Sequence, residues 1–370
     1  MLDKPGLASN GFLACYNLTS LHDLVLMKSH NCESHSMAPD VRIGPMAATF
    51  WRLTAGLCVA FFIVSFGTLG IAAETYPSRP IRLLIGFSPG GPADIPGRAI
   101  AERLTQSLGV PVVPENKPGA GGMLAMQELT SQPPDGHTLL LCTYFDPVNT
   151  LIYRNARYKV SDIVPVSLIG TYDYVLAVAN SVPAEHLSEL IDITKGSPDR
   201  FNYGHIGVAS PANLIFKRLE KRTGMKMTAV PFKGSAPAIQ ELIARRIDLY
   251  IVPPISALQP FDAKQIKVLA TTGKSRLAVM PQVRTLQELG VDLISFAFVG
   301  VCAAKGTPAP IIEKLNGLVR EAVATPQYER LMHTLGSVPI SSSPQELQAV
   351  MDNAVRDAEP IVREFDLHMD

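Results

Sequence analysis

The sequence predicts an α/β protein of two lobes joined by crossing strands, and three observations carry that expectation. Short β-rich runs alternate with Gly/Pro/Ser turns and helical periods along most of the chain, the pattern of packed strand and helix layers. Two long apolar strands, near 174–180 and 293–302, divide the chain into three blocks and are suited to carry the backbone between lobes and back. The 370 residues exceed the roughly 100–200 that one domain holds. Lobe 1 is therefore expected at residues 76–178 and 297–370 and lobe 2 at 179–296, a hinged clamp over a cleft.

The elements follow in order. PIRLLIGF (80–87) is a continuous apolar run, as a strand covered on both faces requires. SPGGPAD turns the chain into a helix from Ile95 to Leu108, which Gly109 ends. VPVVPEN is the next strand, KPGAGG leads into a helix near Met123–Thr130, and HTLLLCT (137–143) is a strand. VPVSLIG and YVLAVAN are strands, HLSELIDITKG is a helix, and FNYGHIG returns to strand. SPANLIFKRLEKRTG carries helix punctuation at both ends: Ser210 as N-cap, Pro211 at the first position, Gly224 as terminator. KMTAVPF, GSAPAIQELIARR, IDLYIVP, a short helix near Ser256–Asp262 and IKVLATT complete a second run of units. LISFAFVGVCAA is a strand, and TPAPIIEKLNGLVREAVAT and SPQELQAVMDNAVRDAEPIVREF are closing helices.

Ahead of these units, residues 53–71 form the most apolar stretch, behind Arg52 and closing on Ala72 and Ala73. A positive flank, an apolar run and small residues are the layout of a secretory signal peptide. An uncleaved membrane anchor is the alternative, since about 18 apolar residues span a bilayer; the small-residue ending and the polar YPSRP favour cleavage. The signal is assigned to 46–73, with Met46 as the natural start and 1–45 as an over-extended N-terminus. A periplasmic location follows.

Lys+Arg and Asp+Glu number 33 each, and removing residues 1–73 takes away four of each sign. No net field draws the chain to nucleic acid or to an acidic membrane face, so partners are recognised locally. Of five Cys only Cys142 and Cys302 remain beyond the leader, each inside an apolar run. They read as buried thiols, with a single bridge as the alternative in an oxidising compartment.

Enzyme signatures fail on inspection. Gly273-Lys274-Ser275 lacks the upstream glycine, and Gly119-Ala120-Gly121-Gly122 has Leu124 where a dinucleotide fingerprint needs glycine. The histidines are not paired at metal-ligand spacing, and no nucleophile elbow surrounds Ser210. No cofactor and no metal are expected. What recurs is a small-residue loop opening a helix: Phe87 to Asp94, His205 to Ser210, and Phe232 to Ala236. Bare backbone N–H groups at such loops can hold a carboxylate or phosphate without a basic side chain; plain tight turns are the alternative.

Six segments taken together, YPSRPIRLLIGFSPGGPADIPGR, ENKPGAGG, PPDGHTLLL, VPFKGSAPAIQELIARRIDL, KVLATTGKSRLAVMPQVRTLQELG and GTPAPIIEKLN, resemble the substrate-binding proteins of tripartite tricarboxylate transporters, the Bug family. The resemblance runs from about Tyr76 to the C-terminus. It implies a type II periplasmic-binding-protein fold whose two α/β lobes close on a small organic carboxylate and pass it to membrane permease subunits. The implied ligand residues on lobe 1 are Phe87, Ser88, Gly90, Gly91, Pro92, Ala93 and Asp94, with Thr143, Tyr144 and Asp146. Those on lobe 2 are Gly207, Val208, Ala209, Ser210 and Asn213, with Lys233, Gly234, Ser235 and Ala236. Asn213, Phe232, Pro253 and Phe298 depart from the family's usual His, Tyr, acidic residue and Trp, so ligand identity does not carry over. A ligand-sensing partner of a membrane signalling protein, or a periplasmic enzyme on the same frame, is the alternative function. Asp146 has two readings: a turn residue before Pro147, or a fixed carboxylate that disfavours a second ligand carboxylate.

Mass spectrometry of the exported protein should find the mature N-terminus between Ala72 and Glu74. Residues 1–45 still attached would overturn both the cleavage and the start at Met46.

Overall fold

The computed structural model describes residues 76–198 and 200–369. The expected leader and the start at Met46 lie outside the described residues. The chain opens with β1 (Ile81–Ile85), α1 (Asp94–Leu108), β2 (Val112–Asn116), α2 (Met123–Ser131), β3 (Thr138–Thr143) and α3 (Phe145–Ile152). Next come β4 (Ile163–Asp173), β5 (Val175–Ala179), α4 (Leu187–Gly196), β6 (Asn202–His205), α5 (Pro211–Thr223), β7 (Thr228–Pro231) and α6 (Ser235–Ile243). β8 (Leu249–Val252), α7 (Pro254–Asp262), β9 (Ile266–Thr271), β10 (Phe296–Ala304), α8 (Ala309–Val323), α9 (Pro326–Thr334), β11 (Ser337–Val338) and α10 (Pro344–Glu364) complete it.

The strands form two sheets, ordered β11-β4-β10-β3-β1-β2 and β7-β6-β8-β5-β9. β1 runs parallel to β2 and β3, and β10 lies antiparallel between β3 and β4. Period-two alternation divides the first sheet's apolar residues between its faces. Leu84, Leu140, Cys142 and Phe298 pack under α2, α3 and α10, while Leu83, Ile85, Leu141 and Val301 pack under α1, α8 and α9. Both faces are covered, which is why these strands read as unbroken apolar runs. A separate core around Leu176, Tyr203, Phe216 and Ile251 belongs to the second sheet.

Punctuation behaves as the sequence specifies. The Ser210 hydroxyl accepts the Asn213 N–H, Pro211 opens α5, and Gly224 ends it at φ 76°. Ser343 and Glu346 close a capping box at the start of α10.

Four expectations are corrected. β5 pairs with β8 and β9, so the chain leaves the first sheet at Tyr174, not at 178. Residues 145–152, where Asp146-Pro147 reads as a turn, form α3, because Pro147 sits in the first turn, where a missing N–H costs nothing. α9 was not anticipated; Thr325 caps it by accepting the Tyr328 N–H. Finally, Cys142 and Cys302 are not free thiols but a disulfide, their Cα atoms 5.9 Å apart. The backbone register allows this: Cys142 faces Gly300 and Cys302 faces Leu140 on the neighbouring strand.

The two cysteines are 160 residues apart, so chain-entropy reasoning gives the bridge up to about 5 kcal/mol of stability. Urea unfolding of the Cys142→Ala/Cys302→Ala double variant should show a loss of that order. An unchanged midpoint would mean the bridge adds nothing to the hydrogen-bonded β3–β10 pair.

Candidate functional site

β1 delivers the chain to the first loop. A Cβ on Gly86 would stand 2.7 Å from the Gly122 Cα, so the exit of β1 touches the glycine turn before α2 backbone to backbone. Ser88 and Gly90 are exposed, Phe87, Gly91 and Pro92 half-buried, and Ala93 and Asp94 buried. The left-handed conformation falls at Gly90, φ 82°, and not at Gly91.

Asp94 is only 2% exposed and is spent inside the loop. Its carboxylate accepts the Gly90 N–H at 2.9 Å, Arg98 Nε at 2.9 Å and Asn116 Nδ2 at 2.8 Å. Burial pushes its pKa up, but the bonds from Arg98, Asn116 and Gly90 outweigh it and hold the carboxyl below its usual range. Asp94 thus pins the loop to α1 and leaves no charge free for a ligand. Asn116 also donates to the Phe87 carbonyl at 2.9 Å.

The second segment of lobe 1 is the start of α3. The Phe145 ring lies 5.2 Å from that of Phe87, centroid to centroid. Asp146 is 3% exposed, and its carboxylate accepts the Thr143 N–H at 2.6 Å and the Thr143 hydroxyl at 3.2 Å. Tyr158 donates to the Asp146 carbonyl at 2.8 Å. Burial pushes the Asp146 pKa up to about 7, with the Thr143 bonds opposing. These contacts fit the turn reading, and Asp146 joins Asp94 as an internal strut. Thr143 and Tyr144 are buried beside it, and burial pushes the Tyr144 phenol up to about 12.

The second sheet supplies two more loops. After β6, the His205 ring accepts the Gly207 N–H through Nδ1 at 3.2 Å, and burial lowers its pKa. Gly207 (φ 134°) and Val208 are half-buried; Ala209, Ser210 and Asn213 are buried. Asn213 accepts the Tyr203 hydroxyl at 2.8 Å and donates to the Val208 carbonyl at 2.9 Å, so its amide is committed within the loop. At the start of α6, Ser235 accepts the Tyr250 hydroxyl at 3.1 Å, with Gly234 half-buried and Lys233 and Ala236 exposed. Val208, Ala209 and Leu214 pack into the α3/α10 side of the first sheet's core. The Arg218 guanidinium donates to the Asp357 carbonyl at 2.5 Å, laying α5 against α10.

Sequence reasoning missed the residues that brace these loops: Asn116, Asn149, Tyr158, Tyr203 and Tyr250. Asn149 donates to the Gly121 carbonyl at 2.9 Å. A surface concavity lined by Asn180, Glu185, Phe261 and Lys264 lies along β9 at the far edge of the second sheet. There Lys267 is already spent on the Val182 and Ala184 carbonyls, at 2.7 and 2.6 Å, which leaves a saturated surface feature. Among the described residues no cluster of His, Cys, Asp or Glu could hold a metal.

These loops combine small residues with internally neutralised carboxylates. The profile of the tripartite tricarboxylate transporter family receptor matches residues 97–367. The chain belongs to this family. The protein BugT of Bordetella pertussis is 30% identical over 311 residues, covering 83% of this chain and 95% of BugT. A Rhodopseudomonas palustris protein solved with adipate superposes at TM-score 0.74 with 29% identity, over 78% of this chain and 97% of its own. MatC of the same organism, solved with malate, gives 0.72 and 27%, over 78% of this chain and all of MatC. The receptor is a Bug-type solute-binding protein of two α/β lobes, and not an enzyme.

Because the Asp146 pKa is raised, the stability linked to this group is complete below about pH 4 and lost as pH climbs to about 7. Asp146→Asn keeps an acceptor for Thr143 and removes that loss. Urea unfolding should therefore show the variant more stable than the parent at pH 8, by up to about 4 kcal/mol, with the gap shrinking toward pH 4. A pH-independent difference would contradict the buried-strut role.

Proposed function

We propose that the receptor works in the periplasm, capturing a small organic carboxylate between its lobes and delivering it to the permease subunits of a tripartite transporter. The observation that carries this reading is the chemistry of the loops. Ser88, Gly91, Val208 and Ala209 keep backbone N–H groups for a ligand, while Gly90, Gly207 and Ser210 spend theirs within the loops and Asp94 and Asp146 are withdrawn into internal hydrogen bonds. A carboxylate gains charge-assisted bonds from such donors and meets no unpaired acidic group there. Thr143, Tyr144 and the Lys233–Ala236 segment complete the proposed ligand set. Adipate and malate in two structural neighbours support the ligand class. A buried disulfide suits an oxidising compartment, and no helix of the described residues is long and apolar enough to cross a membrane.

Thermal unfolding with acetate, malate, adipate, citrate and benzoate tests the reading. At a hundredfold excess over Kd the midpoint should rise by about 5 °C for at least one of them. Gly91→Val, which sets a branched side chain among the loop donors, should abolish that rise while the protein stays folded. Shifts with neutral sugars and none with any carboxylate would refute the assignment.

A further inference from the structure

Two asparagines, one beneath each ligand loop, make the same contact. Asn116 Nδ2 donates to the Phe87 carbonyl, and Asn213 Nδ2 donates to the Val208 carbonyl, each at 2.9 Å. In a trans peptide the C=O and the following N–H point in opposite directions, and both of these peptides are trans. Drawing the Phe87 carbonyl back onto β2 therefore turns the Ser88 N–H away from β2, and drawing the Val208 carbonyl onto α5 turns the Ala209 N–H away from α5. Among the described residues, neither N–H has a hydrogen-bond partner. Ala209 is 2% exposed, and buried N–H groups without a partner are rare.

Each amide is itself fixed. The Tyr203 hydroxyl donates to Asn213 Oδ1, and Arg98 donates to Asn116 Oδ1 at 2.5 Å, so in each case only the NH2 end is left for the loop carbonyl. Asn149 provides the contrast. It holds the Gly121 carbonyl in the same way, but the next N–H, of Gly122, is already bonded to the Gly119 carbonyl at 3.0 Å. That third amide braces a turn and aims nothing.

We propose that Asn116 and Asn213 are positioning residues, each holding back one loop carbonyl so that the Ser88 and Ala209 N–H groups are aimed at the ligand carboxylate. Tyr203 acts one step behind, by setting which way the Asn213 amide faces. The proposal rests on the carboxylate reading above and gives it a mechanism: one aimed donor per lobe, so that full affinity requires both lobes on the same group.

Calorimetric titration of acetate, malate, adipate, citrate and benzoate into the wild type, Asn213→Leu and Tyr203→Phe separates the possibilities, with unfolding midpoints measured alongside. Asn213→Leu should weaken every carboxylate that the wild type binds by a common factor of about ten or more, the worth of one charge-assisted hydrogen bond. Tyr203→Phe, which removes a single hydroxyl and keeps the fold even if the leucine variant does not, should weaken them in the same direction and by less. A merely structural role would move the midpoints and leave affinity in the folded variants untouched; that result overturns the proposal while the carboxylate reading stands. A loss confined to one carboxylate would mean that Asn213 reads the ligand's carbon chain, which also overturns it. Failure of the wild type to bind any of the five would remove the proposal together with the reading on which it rests.

Discussion

Both passages of the chain between the two sheets meet on Thr272. Its N–H donates to the Tyr174 carbonyl and its hydroxyl accepts the Tyr174 N–H, each at 2.9 Å, on the outgoing passage. On the return, the same hydroxyl donates to the Ser295 carbonyl at 2.5 Å while the Thr272 carbonyl accepts the Ser295 N–H at 2.9 Å. One buried residue thus satisfies backbone groups on both crossings, where neither sheet's ladder continues. Without such a partner those groups would be buried and unpaired, at a cost of about 1–3 kcal/mol each. The arrangement marks where the chain passes from one sheet to the other.

The disulfide acts on the same topology from the first sheet's side. Cys142 lies in β3, one strand before the chain leaves for the second sheet, and Cys302 lies in β10, the strand that returns from it. The bridge therefore closes a chain loop that contains the whole second sheet, and it does so between strands already in register. A cross-link there restrains the unfolded chain far more than the native one.

Much of this was legible in the sequence, for local reasons. Ser210, Pro211 and Gly224 delimit a helix within fifteen residues of one another, and their chemistry does not depend on the rest of the fold. The apolar runs of β1, β3 and β10 announce strands covered on both faces. α3 was hidden because Asp146-Pro147 has the composition of a turn; only the burial of Val148 and Ile152 against the first sheet makes it a helix. The roles of Asp94, Asn116 and Asn213 were invisible for a different reason. Asn116 reaches Phe87 across 29 positions, and Asn213 depends on Tyr203 of the adjoining strand. An asparagine looks the same in sequence whether its amide meets solvent, a ligand or a carbonyl. The loops could be named from their small residues, but not what holds them in shape.

That division has a consequence for how specificity is built. A binding surface made of backbone donors is set by the conformation of the loops, and the conformation is set here by buried amides, carboxylates and phenols that need not touch the ligand. Such a site recognises a carboxylate as a group, through geometry, and is indifferent to the chain attached to it. Discrimination among carboxylates must then come from the side chains around the donors, and these are uncharged for the most part. Around the loops stand the Tyr144 and Ser235 hydroxyls and the Phe87 and Phe145 rings, with Lys233 exposed. A neutral donor distinguishes a hydroxyl from a methylene by leaving a buried polar group unpaired in the wrong complex, whereas a fixed charge would favour any second carboxylate regardless of shape. On the proposed reading, placing the acidic groups inside the loops, and the donors outside, lets one fold keep its grip on the carboxylate while the remainder of the cleft is free to vary.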